Sequence, residues 1–266
     1  MKKALKILVR ILWFVLLTIV TQIGGVALII SHLLSKSLGL KTTLKRLILF
    51  IVVYTFLTLL ITPWIAPMFG RERVKHTELI SPANYMTVLL NRNYVRPELN
   101  QLLGEVEKTI SKTGISISYL DANFPFINKF PLLPHLSHND GKKLDLSLIH
   151  ESSSGDFSDK QRSMSGYGVF EGPRASEYDQ THFCKEKGYF QYDFSKYLSF
   201  GEINAHLKFS EKGTKILLQA LLTQKRLSKI FIEPHLKSRL NLAHPKIRFH
   251  GCGAVRHDDH IHLEIK

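Results

Sequence analysis

Residues 1–70 contain no aspartate and no glutamate; all 22 acidic residues lie downstream. The stretch is not free of charge, since it carries Lys2, Lys3, Lys6, Arg10, Lys36, Lys41, Lys45 and Arg46. These eight account for more than half of the net charge of +14, and the rest of the chain sets 28 basic residues against 22 acidic ones. A pI near 9.7 therefore reflects a membrane flank rather than a nucleic-acid surface, and no nucleic-acid partner is expected. Cysteine is nearly absent as well. Cys184 and Cys252 fall at no ligand spacing, which excludes a thiolate metal site. In an exported domain they can form one disulfide, tying a loop region to the segment before His257; two free thiols is the alternative. Internal repeats are missing too, which rules out a solenoid.

Two apolar runs explain the acid-free region. Leu47 to Phe69 is 23 residues without charge, enough at 1.5 Å per residue to cross a hydrocarbon core of about 30 Å. Trp64 near its end suits a headgroup-level anchor, and Arg71, Arg73 and Lys75 follow. Ile11 to Ile30 is the second candidate, interrupted by Gln22 and the Gly24-Gly25 pair. A cleaved signal peptide is the rival reading of this first run, but no small-residue cleavage site clearly follows it. Residues 1–70 are thus expected to be a membrane anchor, with spans at about 11–30 and 47–69. Two full spans would put both ends on one side, where the basic bend competes with the equally basic N-terminus for the cytoplasm. If the first segment only dips into the membrane, all eight cations stay inside and the downstream domain is exported. Charge alone leaves the side open.

Downstream of Phe69 the pattern is that of a globular protein. Residues 71–96 look like a linker and docking segment, and 97–266 like one domain. Pro97 opens an amphipathic helix that buries Leu99, Leu102, Leu103, Val106 and Ile110 and stops at Gly114. Ile115–Leu120 alternates as a half-buried strand, and Leu144–Leu148 does the same, its leucines facing away from Asp145 and Ser147. Residues 151–182 are polar and aperiodic, a long loop of the length used for lids. Ser210 caps a helix to about Gln224, with Ile216, Leu217, Ala220 and Leu221 inward. A strand at Lys229–Glu233, a helical turn at 235–240 and a last strand at His260–Ile265 complete the chain. Without regular βαβ alternation the class is α+β, an antiparallel sheet with flanking helices after one or two transmembrane helices.

Two histidine clusters stand out. One is His135-Leu136-Ser137-His138, followed seven residues later by Asp145; the other is His257-Asp258-Asp259-His260-Ile261-His262. Alternate side chains of a strand share a face, so His260, His262 and Glu264 point one way and Ile261, Leu263 and Ile265 enter the core. If the Asp145 strand pairs with this one, Asp145 meets His262 and His138 reaches in from the preceding turn. Neutral imidazole and carboxylate are the donors of catalytic zinc, which takes three protein ligands and leaves a position open for water. Histidines standing alone, such as His32, His76, His206 and His244, are read as ordinary residues.

The pattern His138-x6-Asp145 with His260-x-His262 resembles the paired motif of the lysostaphin, D-Ala-D-Ala carboxypeptidase and hedgehog-type (LAS) zinc peptidases. His135 three residues before His138, the run from His257 to His262, and Ile230-Phe231-Ile232-Glu233-Pro234 before a short helix resemble its penicillin-insensitive murein endopeptidase branch. The resemblance covers about residues 115–266. It implies one Zn²⁺ per chain held by His138, Asp145 and His262. It also implies that His260 serves beside the metal as base or oxyanion stabiliser, with His257 and His135 assisting. Where the carboxypeptidase branch has a glutamate as base, this chain has Asp259, which alternation turns away from the metal. A histidine is therefore expected to be the base. The implied activity is hydrolysis of an amide bond in peptidoglycan by a membrane-anchored enzyme whose domain lies outside the cytoplasmic membrane. Alternatives are a zinc peptidase or amidase acting on another peptide, and a non-catalytic zinc domain of the same fold.

Overall fold

A computed structural model describes residues 2–266. Its contacts divide into two compact units, one of Met1–Val74, Met86–Pro97 and Asn123–Gly141, the other of Lys75–Tyr85, Glu98–Ala122 and Lys142–Lys266.

The first unit begins with helices Lys2–Thr21, Gly24–Ser37 and Thr43–Phe56. The third runs on through a π-helical turn, Leu57–Ile61, a short α-helical turn, Thr62–Ile65, and a 3-10 turn, Ala66–Phe69. Segment 11–30, expected to be one span, is two helices. The chain turns at Gln22, whose φ of 66° is left-handed, and the Gln22 side-chain oxygen accepts the Phe126 N–H at 2.9 Å. An apolar run cannot reveal such a turn, because both arms of the hairpin are equally apolar. Gly24 and Gly25 serve the close approach of those arms. A Cβ on Gly25 would lie 2.2 Å from Thr18 Oγ1 and 2.7 Å from the Phe14 ring. Ala27, Ser31 and Ser35 continue this face of small buried residues, as close helix packing requires.

By length and composition, Ala4–Thr21 and Thr43–Phe69 are the helices able to cross a membrane. The 14 residues of Gly24–Ser37 rise only about 21 Å. The start of the first helix, the end of the second and the start of the third share one end of this antiparallel arrangement, so Arg10, His32 and Arg46 line one pocket. Elsewhere in the unit, Glu72–Arg73 pairs antiparallel with Tyr94–Val95. Buried Arg71 organises segment 123–141, donating to the Phe124 carbonyl, to Asn128 Oδ1 at 2.6 Å and to the Asn139 carbonyl at 3.2 Å.

The second unit is built on a six-stranded sheet in the order Ile247–Arg248, Leu227–Phe231, His260–Ile265, Lys143–Ser147, Ile117–Asp121, Ile80–Pro82. The four inner strands are mutually antiparallel, as expected, but each edge strand pairs parallel to its neighbour, so the sheet is mixed. Ile80–Pro82 comes from the stretch expected to be a linker. In the Ile117–Asp121 strand every residue is buried, so both of its faces are covered rather than one. Helix Pro97–Ile110 buries the five apolar side chains its spacing indicates, each worth about 1.5–3 kcal/mol. Ser210 caps helix Glu211–Leu222 by accepting the Gly213 N–H at 3.2 Å. Leu217, Leu218, Ala220 and Leu221 are buried there, and Ile216, expected inward, is only half-buried. The 151–182 region is not all loop. His150–Glu151 is the centre of a three-stranded sheet with Phe157–Ser158 and Lys208–Phe209, and helix Gln180–Glu186 begins before the region ends. Cys184 of that helix is bonded to Cys252, their Cα atoms 5.3 Å apart, so the disulfide alternative holds.

Candidate metal centre

The register of the two central strands puts His262 opposite Asp145 and His260 opposite Ser147. Opposed residues of an antiparallel pair share a face. His262 Nδ1 thus lies 2.8 Å from Asp145 Oδ1, and His260 Nε2 lies 3.9 Å from Oδ2. The pairing expected from alternation alone is the pairing found. Asp145, His260 and His262 are each no more than 3% exposed, so the polar face of these strands is covered.

Three further contacts fix this face. The Tyr167 hydroxyl donates to Asp145 Oδ2 at 2.8 Å, and its ring stands edge-on to His260 at 5.0 Å. Tyr167 is inserted by a tight turn whose glycines sit at left-handed φ of 86° (Gly166) and 81° (Gly168). A Cβ on Gly168 would be 2.4 Å from the Ser195 carbonyl oxygen. Gly168 N–H donates to Asp259 Oδ2 at 2.7 Å, while Asp259 Oδ1 lies 2.5 Å from His260 Nδ1. Asp259 precedes the strand and holds the imidazole of its neighbour. Finally, Glu233 accepts the His257 N–H at 2.9 Å on one oxygen and the Tyr192 hydroxyl on the other.

Electrostatics differ among the histidines. Burial opposes charging His260, but the Asp259 and Asp145 carboxylates and the Asp259 hydrogen bond outweigh it and raise its pKa to about 9. His257 is held well below the usual range by burial and by the neighbouring imidazoles of His260, His262 and His250. Burial, then the charge of Asp258, pushes Glu233 up to about 7. Asp258 is itself gripped by Arg256, whose Nε lies 2.7 Å away, and by His235 at 3.5 Å.

In the first unit, His138 N–H donates to the His135 carbonyl at 2.9 Å, closing a turn that sets the rings 5.5 Å apart. His138 is buried and His135 half-buried. Of the expected site residues, His135 and His138 belong to the first unit, and Asp145, His257, His260 and His262 belong to the second, where His262 meets the Asp145 carboxylate through Nδ1.

Sequence reading missed Tyr167, and it missed His250, whose ring stacks 6.1 Å from His262 and stands edge-on to His257 at 5.2 Å. The run Ser165-Gly166-Tyr167-Gly168 carried a signal, an aromatic between two glycines in an otherwise polar stretch. No protein-family model matches the chain, and no curated protein matches it.

Proposed function

We propose that the chain is a membrane-anchored zinc metallopeptidase that hydrolyses an amide bond of peptidoglycan, with zinc held by His138, Asp145 and His262. The observation that carries this reading is the buried Asp145 carboxylate, which meets His262 in register and lies beside His260. The donors fit zinc. They are imidazole nitrogen and carboxylate oxygen, and both cysteines are committed to the disulfide. When bound, zinc lowers the pKa of its water to about 7 and polarises a scissile carbonyl.

The chain's own residues supply the rest. With Nδ1 fixed by Asp259, His260 exchanges its proton at Nε2, the nitrogen that faces Asp145. His260 is therefore the proton carrier of this reading. His257, kept neutral by burial, is a second acceptor beside it. Tyr167 occupies Oδ2 of Asp145 and so orients Oδ1 toward His262.

The external face is supported by the helices. The hairpin Lys2–Thr21 and Gly24–Ser37, followed by Thr43–Phe69, makes an out–back–out path that leaves every cation of the acid-free region at one end. By the positive-inside rule that end is cytoplasmic, and the chain beyond Phe69 emerges outside. The Cys184–Cys252 bond suits an oxidising compartment. A fixed polymer outside the membrane is a substrate for which an anchor is useful, and the motif resemblance names peptidoglycan.

The test is metal analysis of the full-length protein and of H138A, D145A and H262A, followed by mass analysis of digested cross-linked sacculi. We expect about one zinc per wild-type chain, its loss in each variant, and new peptide fragments whose release a chelator stops. Unchanged metal in all three variants overturns the ligand set. An absence of new fragments from zinc-loaded protein overturns the substrate.

A further inference from the structure

Beyond the peptidase reading, and resting only on its membrane anchor, we propose that the N-terminal helices hold an anionic phospholipid, its phosphate between Arg10 and Arg46. These helices enclose a pocket of about 520 Å³, within the range of about 300–1,000 Å³ usual for bound small molecules. All three contribute: Arg10, Trp13 and Leu17 from the first, Leu28 and His32 from the second, Leu47 and Phe50 from the third, with Arg46 beside them. A second pocket of about 270 Å³ shares Arg10, Trp13, Leu28 and His32. Two adjoining grooves around one cationic site are what a headgroup with two acyl chains requires.

Charge selects the occupant. The surface of the pocket wall is mainly apolar, yet two guanidinium groups line it, and residues 1–70 offer no carboxylate to pair with them. Guanidinium presents a planar fork of donors that matches a phosphate oxygen pair. Two serines of the lining bond to their own helix: Ser31 Oγ donates to the Leu28 carbonyl at 3.0 Å and Ser35 Oγ to the His32 carbonyl at 2.8 Å. Neither hydroxyl competes for the ligand. Arg46 donates through Nε to the Leu40 carbonyl at 2.9 Å, which fixes its stem and leaves its terminal nitrogens for an anion. The pocket lies at the end that gathers the basic residues, the cytoplasmic end in the proposed topology, where anionic lipids and basic interhelical pockets meet. Exposed Leu5, Ile7, Leu12 and Trp13 give acyl chains a lateral route from the bilayer.

The experiment uses the full chain reconstituted in bilayers of phosphatidylcholine containing a minor share of phosphatidylglycerol, with lipids retained after detergent extraction measured by mass spectrometry. An alkaline wash of native membranes comes first; release of the protein would refute the anchor and this proposal together, leaving the metal reading to its own test. We expect phosphatidylglycerol to be retained over phosphatidylcholine by roughly 30-fold, the figure for two basic contacts at about 1 kcal/mol each. R10Q/R46Q should abolish the preference, R10K/R46K should keep most of it, and K41Q/K45Q, which removes charge outside the pocket, should leave it intact. Equal retention of both lipids by the wild type overturns the proposal. So does a preference that survives R10Q/R46Q, or one lost equally in K41Q/K45Q, because the attraction is then general to the basic end. Complete displacement by inorganic phosphate would also overturn it, making the ligand a free anion.

Discussion

In the N-terminal helical hairpin, serine and threonine hydroxyls bond to the backbone of their own helix: Thr18 to the Phe14 carbonyl at 2.7 Å, Thr21 to Leu17 at 2.8 Å, Ser35 to His32 at 2.8 Å. Around the central strands the same kinds of group reach far along the sequence. Tyr167 bonds to Asp145 across 22 residues, Tyr192 to Glu233 across 41, and Gly168 to Asp259 across 91. With the N-terminal helices taken as the proposed anchor, the difference follows from the solvent each region meets. Where lipid surrounds a helix no water can satisfy a stray donor, so bonding within the same helix is the economical arrangement and says nothing about position. Where a covered sheet face carries charge, each bond between distant residues fixes one group against another, and buried polar groups left unpaired would cost about 1–3 kcal/mol each. The helices satisfy their serine and threonine hydroxyls locally and are tied to the rest of their unit by single long-range bonds such as Gln22 to Phe126, whereas the sheet face gains its geometry from several distant pairs.

The sharpest way to break the comparison is to remove the imidazole that stands beside two of those distant acceptors, Asp259 and Asp145. His260→Ala deletes the imidazole that Asp259 holds and that faces Asp145. Activity should fall by roughly 10²–10⁴-fold if His260 carries the proton, while zinc content stays near one per chain. Single-turnover rates on sacculi, with metal measured on the same sample, check both halves. Near-normal turnover would move the proton to His257.

A smaller effect separates the regions by pH. Glu233, pushed up to about 7 by burial and next by Asp258, binds its proton more tightly folded than unfolded. Its contribution to stability is complete below the ordinary glutamate value of 4.5 and is lost as pH rises through about 7. The difference is on the order of 3 kcal/mol, since one pKa unit is 1.36 kcal/mol. Residues 1–70 contain no carboxylate, so no carboxylate of that region contributes to the slope. Urea midpoints measured from pH 4.5 to 7 should decline for the wild type and run flatter for Glu233→Gln, which keeps both hydrogen-bonding partners. Parallel slopes in the two proteins would show that another group is responsible.

How much of this could be read from the sequence depends on the range over which each feature is encoded. Strand His260–Ile265 and its partner Lys143–Ser147 were legible because alternation with period two declares both the strand and its polar face, and the His262–Asp145 opposition followed. Helix Pro97–Ile110 was legible from its start signal and apolar spacing. The turn at Gln22 was not, since hydropathy is blind to a reversal inside an apolar run. The parallel pairing of Ile80–Pro82 and Ile247–Arg248 was also hidden, as strands of two or three residues carry no period. Asp259 was read as facing away from the metal, and its bond to His260 shows why that position matters even so: the residue before the strand escapes its alternation. Tyr167 depended on two left-handed glycines and a backbone bond 91 residues away, which no local pattern announces.

Tyr167→Phe gives the finest test of the comparison, because it removes one distant bond and keeps the ring. The phenyl group retains the edge-on contact with His260, so packing and the Gly166–Gly168 turn should survive. What is lost is the 2.8 Å bond to Asp145 Oδ2. A neutral-to-charged hydrogen bond of this kind is worth about 1.5–3 kcal/mol, and partners that orient a metal ligand typically change affinity by about 10–100-fold. We expect the lower end, about 10-fold weaker zinc binding in a chelator competition, with a Tm lowered by a few degrees. Ser35→Ala in the helices is the matched control: it also removes a single 2.8 Å hydroxyl bond, but a local one, and should leave zinc affinity unchanged. Equal, negligible effects from both substitutions would mean that distance along the chain confers no positioning role on the Tyr167 bond, and the contrast drawn between the two regions would fail at its most specific point.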